Sequence, residues 1–553
     1  MSKRLPLQFR VLYRQFLLRV VDLEALSMQA DVTQLLGQFA GILILVSAFR
    51  TVGFLWLVGR PDLSSEAFLN FAMQEALSFI AGTMLIVGLL TVVSWDGIFP
   101  DRRDAMVLGP LPVKPGTILA AKLAASVALL GIAVVALNFG MGLVLPVVTG
   151  GTLLGILRAL FAWWFTMAVA AVFLYGGVLA VQGWTALLLP RRRFLQFSAL
   201  LQLAAFALFL AGWIFQPSLA DMAGKPGHPE GRWPACWFLC LALQLDGRLP
   251  PHAAWLARRA WIGLAISMAA AGTSLLLCYL RTMKKTIEEP DLLPGGARMP
   301  MRWGDGLTTA VVQFSLRSLL RSKQHRVMYA FFLAITFAIG LSTLRDLLLG
   351  GTQTLAPGFL MATQVMICLS VLGVRSVFSL PVSLKANWML QITQVRPPQD
   401  YIAATRRAML VMSAAPVWLV VAALSLGFRP WNAVLEHLVV LALLASIMTD
   451  LCLMNVSKIP FACSYLPGKS NVQYVFWAFA AGFVPIATQI AHAEMAAFAR
   501  LRWLVVMLVT LMALAVALRM FNRSRSKHAV LYYEETESEV ITTLGLSGMV
   551  MQD

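Results

Sequence analysis

The stretch Trp95–Leu123, WDGIFPDRRDAMVLGPLPVKPGTILAAKL, separates two long apolar runs. It opens on a compact run of mixed charge, Asp101-Arg102-Arg103-Asp104. A stiff turn follows at Gly109-Pro110-Leu111-Pro112, because proline fixes φ and removes an N–H donor. Lys114 comes next, and Thr117 is placed to cap the helix that enters the following apolar run. Such a bracket either solvates a turn and carries a topology signal, or transmits rigid-body motion to the two helices it joins. A related stretch recurs at Leu380–Leu410, LPVSLKANWMLQITQVRPPQDYIAATRRAML. Laying Ile118 on Ile402 brings Ala120 onto Ala404 and Lys122 onto Arg406. Two similar brackets imply one task performed twice.

Outward from these brackets the chain is apolar. Of its 553 residues, 59% are hydrophobic and 13% charged, whereas soluble domains carry about 25% charged residues. Spanning hydrocarbon takes about 20 apolar residues as a helix. The runs are continuous rather than alternating, which excludes barrel strands and requires helices. The expected spans before the midpoint are Leu36–Val58, Phe68–Val93, Ile118 to Pro146, Leu153–Leu189, Phe194–Phe215 and Ala260–Leu280. Those after it are Val327–Leu344, Phe359–Leu380, Ala408–Leu426, Val434–Met454, Val472–Ile490 and Leu501–Met520. The fold expected is all-α, a polytopic membrane bundle of about 12 helices in two parallel six-helix repeats. The first unit is 1–281 and the second 312–521, with a polar linker at 282–311 and an acidic tail at 522–553.

The net charge of +18 does not indicate a nucleic-acid partner. The basic residues cluster at the ends of apolar runs, where they set topology and meet anionic membrane lipid. That bias puts both termini and both brackets in the cytoplasm. The N-terminal Pro6–Leu26 reads as a basic amphipathic helix lying on the membrane face. Arg10, Arg14 and Arg19 interrupt it, so it has no apolar core of signal type. VVQFSLRSLLRSKQHR, 311–326, has the same character. The segment PACWFLCLALQL, within 216–254, is too short to span. Its Cys236 and Cys240 share a helix face; a disulfide is within reach, but small buried hydrophobes are the ordinary reading.

Catalytic signatures are missing from the sequence. Gly468-Lys469-Ser470 has Cys463 where a phosphate-binding loop needs its first glycine. Glu436-His437 and His492-Ala493-Glu494 read as interfacial polar residues rather than metal ligands. Ionisable and polar residues inside spans are costly and therefore candidates for function: Arg50, Glu75, Asn138, Gln364 and Asp450. An ion-coupled secondary transporter with parallel six-span halves would use Glu75 or Asp450 and need no ATPase.

The order of basic surface helix, two spans, D-R-R-D…L-P loop, A-A-K-L and four further spans resembles the permease of ABC exporters of the second permease type. IPFACSYLPGKSNV, 459–472, is similar to a stretch in large bacterial permeases of this group. The resemblance implies interfacial elbow helices at Leu7–Val20 and Val312–Lys323. It implies coupling regions at Phe99–Gly116 and Lys385–Asp400 and an outer re-entrant segment near Trp233–Leu245. It further implies a bacterial inner-membrane permease, not itself an enzyme. Such a permease binds no cofactor directly and moves an exported substrate with ATP spent by two partner ATPase subunits. Asp101, Arg102, Arg103, Asp104, Lys114, Trp388 and Arg396 are the residues expected at the ATPase contact.

Overall fold

The computed structural model describes residues 7–21, 32–58, 65–94, 108, 111–214, 233–288, 302–322, most of 325–340, 355–382, 387–454 apart from 393 and 429, 459–462, 486–498 and 500–533. Every regular element among them is a helix. Eight are long and apolar enough to cross a membrane, so the chain is a helical membrane protein. Of the other expected spans, the first has a shorter apolar core, Ala40–Trp56. The fifth is the helix Arg191–Ile214, and the seventh and eleventh are described only in part. The chain divides into two compact units. One lies within Met1–Ala297 and Ala330–Thr352, the other within Arg298–Tyr329 and Gln353–Asp553. The stretch 330–352, counted with the second unit in the sequence, groups with the first.

In the first unit α1 (Leu7–Val21) packs on the start of α4 (Pro115–Asn138) through Phe16, Ile118, Ala121 and Ala125. The Lys122 ammonium sits over the Phe16 ring at 5.2 Å, a cation–π contact that makes its burial tolerable. Pro115 occupies the first turn of α4 and Lys114 is the residue before it. Thr117 is therefore inside the helix rather than capping it: proline's missing N–H makes the first turn the cheap place to begin. α2 (Val32–Val58) and α3 (Ser65–Val93) pack on α4. α4 breaks at Phe139-Gly140, where the Gly140 N–H donates to Ser47 Oγ of α2 at 3.1 Å. A β-carbon there would lie 2.6 Å from Thr51 Oγ1. Beyond the break come α5 (Met141–Gly150), α6 (Leu153–Leu188) and α7 (Arg191–Ile214). α8 (Pro234–Asp246) is 13 residues long, too short to span. It packs on α3, α6 and α9 (Ala254–Glu288). Its Cys236 and Cys240 are buried thiols that are not joined in a disulfide.

The second unit opens with α10 (Gly306–Arg321), six residues earlier than the expected elbow because Asp305 caps it: Oδ1 accepts from Thr308 N at 3.2 Å. α11 (Pro357–Phe378) leads to the short α12 (Asn387–Ile392) and then α13 (Pro398–Met409). α10 packs on α13 through Val311, Val312, Ala404 and Ala408, as α1 does on α4. In α4 Ile118, Ala121, Lys122, Ala125 and Ser126 are buried; in α13 Tyr401, Ala404, Thr405, Ala408 and Met409 are. The two patterns coincide when Pro115 lies on Pro398, one residue from the register that places Ile118 on Ile402. α13 continues through a π-turn, Leu410–Ala414, into α14 (Ala415–Leu424). The wider turn frees carbonyls from the helical ladder. Tyr329 Oη donates to the Met412 carbonyl at 2.5 Å, and Ser370 Oγ to that of Ser413 at 3.0 Å. α15 (Trp431–Cys452) packs between α11 and α17 (Leu501–Ser526), and α16 covers 486–498.

Candidate docking surface and buried polar clusters

α12 stands in the loop between α11 and α13 and is fastened from below. Asn387 is buried, and its Nδ2 donates to the Ala462 carbonyl at 2.6 Å. The fastening segment, 459–462, is itself clipped to the end of α11: Phe461 N donates to Phe378 O at 3.1 Å, and Phe461 O accepts from Val382 N at 3.1 Å. Phe461 adopts φ 64°, a left-handed conformation that costs a bulky residue about 1–3 kcal/mol. Aromatic packing offsets this, with the Phe378 ring at 5.3 Å and His325 at 4.9 Å. His325 Nε2 faces the Leu380 carbonyl at 2.9 Å and so carries the proton in the neutral ring. Burial pushes its pKa below the ordinary 6.5, against the pull of that carbonyl.

On this base Trp388, Met389, Ile392 and Val395 are exposed, Val395 at 90%. Arg396 Nη1 donates to Asp305 Oδ2 at 2.7 Å, tying the loop to the cap of α10. Hydrogen bonds from Thr308, and secondarily the Arg396 guanidinium, hold Asp305 below the usual carboxylate range despite slight desolvation. The segment after α17 returns to the same place. Leu531 packs with Tyr401, Ile459 and Ala462, and Tyr533 Oη donates to Gln394 Oε1 at 3.2 Å. In the first unit Lys114 is exposed at the head of α4. Asp101, Arg102, Arg103 and Asp104 lie outside the described residues.

All five intramembrane candidates have polar partners. Arg50 on α2 pairs with Glu75 on α3 at 2.5 Å, reaches Ser78 Oγ at 3.0 Å, and lies 4.4 Å over the Phe79 ring. Asn138 donates to Thr83 Oγ1 at 2.9 Å, while its Oδ1 is buried without a partner. Asp450 is clasped by Arg406 through two bonds, at 2.7 and 2.9 Å, and Arg406 also reaches Ser446 Oγ. Gln364 Nε2 donates to Glu494 Oε2 at 2.9 Å.

That last bond leads to a cluster that sequence reasoning assigned to span ends. Glu494 Oε1 meets His437 Nδ1 at 2.8 Å, and His437 Nε2 meets Thr363 Oγ1 at 2.9 Å. His437 and Glu494 are each 0% exposed. A signal was available: His437 falls on the buried stripe of α15 with Val434, Leu438 and Leu441. Glu494 sits on the small-residue stripe Ala487, Ala491 and Ala497 of α16. Helical spacing alone puts both inward.

The first unit also holds an apolar cavity of about 100 Å³ between α3, α5, α6 and α8, with Asp246 and Arg248 at its rim. Among the described residues no group of three or more acidic, histidine or cysteine side chains could hold a metal ion. No family model, curated protein or solved structure matches the chain.

Proposed function

We propose that the chain is the membrane permease of an ATP-driven exporter of the ABC type, with twelve spans in two parallel six-helix repeats. It lies in the inner membrane of a bacterium with both termini cytoplasmic, and separate ATPase subunits drive it through the loops after the second span of each unit. The observation that carries this reading is α12. Trp388, Met389 and Ile392 stand exposed on a short helix whose base is pinned by Asn387, and Val395 extends the patch just beyond it. An exposed apolar patch on an anchored element is the surface a protein partner covers. A push on α12 reaches α11 through the 459–462 clip and α13 through the Pro397-Pro398 turn, which is the path a coupling element needs.

The shared packing of surface helix on third-span helix in each unit supports the repeat. The ion-coupled alternative is weakened at the residues it would use. Glu75 and Asp450 each face an arginine, and a carboxylate held by a guanidinium is poorly placed to exchange a proton or cation.

The test is a mild-detergent pull-down of the tagged chain from its host, assayed for co-purifying ATPase. The reading expects a P-loop ATPase that is released by Trp388→Glu with Ile392→Asp, or by charge reversal at Arg102 and Arg103. Absence of an ATPase under conditions that retain a known ABC complex overturns it. Uptake driven by an ion gradient is then the experiment to run.

A further inference from the structure

The hydrogen-bond pattern around His437 fixes how many protons the buried cluster contains. Thr363 Oγ1 lies 2.9 Å from both the Phe359 and Leu360 carbonyls. The Thr363 hydroxyl donates to this pair of carbonyls. Thr363 is then the acceptor toward His437, so His437 Nε2 carries a hydrogen. On the other side of the ring, Nδ1 and Glu494 Oε1 stand 2.8 Å apart. A contact of that length needs one hydrogen between them, on the ring or on the carboxyl. Either way the group as a whole is neutral. Gln364 must present its NH2 to Glu494 Oε2, and its own Oε1 is buried without a partner.

Removing that one hydrogen leaves two acceptors facing each other and a net negative charge among apolar helices. Both effects are costly away from water. Among the described residues the surrounding charges do not relieve them. α15 adds Glu436, whose carboxylate feels that of Glu494 as a like charge. α11 has no charged side chain between Pro357 and Gly373. On α16 itself, His492 Nδ1 is turned to the Thr488 carbonyl.

We propose that Thr363, Gln364, His437 and Glu494 form a binding site for a single proton, whose occupancy holds the 486–498 helix against α11 and α15. When the proton leaves for water, the His437–Glu494 contact opens and 486–498 loosens. The site stands independently of the exporter reading, since it concerns the second unit whatever that unit transports.

The experiment is hydrogen–deuterium exchange of the full chain in lipid nanodiscs from pH 5 to 10, corrected for intrinsic base catalysis. Peptides from 486–498 are expected to gain opening by about tenfold per pH unit above a midpoint, the slope of a one-proton step. Glu494→Gln, which cannot lose a proton, is expected to keep 486–498 protected across the range. A flat wild-type profile overturns the proposal, as does a Glu494→Gln profile with the same step. Should that variant fail to fold, the His437 ring nitrogens are followed by NMR in the wild-type chain. The Nδ1 resonance is expected to move over the interval in which 486–498 loosens, since Nδ1 loses its hydrogen-bond partner whether the hydrogen leaves the ring or the carboxyl; a resonance that does not move overturns the proposal.

Discussion

Asn387 Nδ2 reaches the Ala462 carbonyl at 2.6 Å across 75 residues of chain. This bond makes α12 a fixed part of the second unit. Asn387→Ala leaves a buried carbonyl without its donor, at a cost of about 1–3 kcal/mol. The expected result is a lower Tm together with weaker ATPase recovery. Trp388→Glu with Ile392→Asp, on the exposed side, is expected to lower recovery at unchanged Tm. Thermal unfolding beside the pull-down separates the two.

Arg406 and Asp450 are a largely buried pair, Asp450 only 2% exposed. Asp450→Ala strands the guanidinium and is expected to destabilise by about 3–5 kcal/mol. Arg406→Met combined with Asp450→Leu is expected to recover most of that loss, because both charges leave together. A double-mutant cycle on thermal unfolding reads the difference. Arg50 and Glu75 are more exposed, at 31% and 21%, so Glu75→Ala is expected to cost less than Asp450→Ala.

Stability on the acid side is expected to fall in two windows. His325 is held below 6.5 in the folded chain, so the unfolded chain takes up its proton first. Its contribution is complete above pH 6.5 and is lost as pH falls from there toward the folded value. Asp305 is held below 3.8; its contribution is present above that value and is lost as pH falls through the depressed one. His325→Asn is expected to flatten the upper window and leave the lower one. Tm measured from pH 3 to 8 checks both.

Gly140→Ala places a methyl 2.6 Å from Thr51 Oγ1. Overpacking of this kind costs about 1–3 kcal/mol. A Tm unchanged from wild type counts against the close approach of α2 to the α4–α5 break.

The helices and their polarity were legible because hydrocarbon demands long apolar runs, and α8 announced itself by being too short. Both proline-led third-span helices were legible too, but their register was not. Matching Ile118 to Ile402 compares side-chain identities, whereas burial is set by which face meets α1 or α10, and that moves the match to Pro115 on Pro398. Gln364 was identified from its position in a span. Its partner Glu494, and the His437 that Glu494 meets in turn, fall near span ends in the sequence, where polar side chains ordinarily meet headgroups. Their meeting joins positions 57 residues apart, which local patterning does not encode. The same holds for Arg396 and Asp305, 91 residues apart. The second bracket implies an ATPase contact for Arg396; in the structure its guanidinium rests on Asp305 in a half-exposed pair.

The π-turn at Leu410–Ala414 has a consequence for how the third-span helix of the second unit is set. A π-turn houses one residue more than an α-helical ladder requires. Deleting one residue there would restore an unbroken α-helix without shortening the loops at either end. Ala415 to Leu424 would keep their facing, because the wider turn absorbs the surplus residue's rotation of about 100°. Trp418, whose Nε1 donates to the Leu438 carbonyl at 2.9 Å, would stay on α15, while the Met412 and Ser413 carbonyls would lose the opening in which Tyr329 and Ser370 reach them. The surplus residue thus works as a washer: it opens one turn of the helix to outside donors without re-aiming the segments on either side.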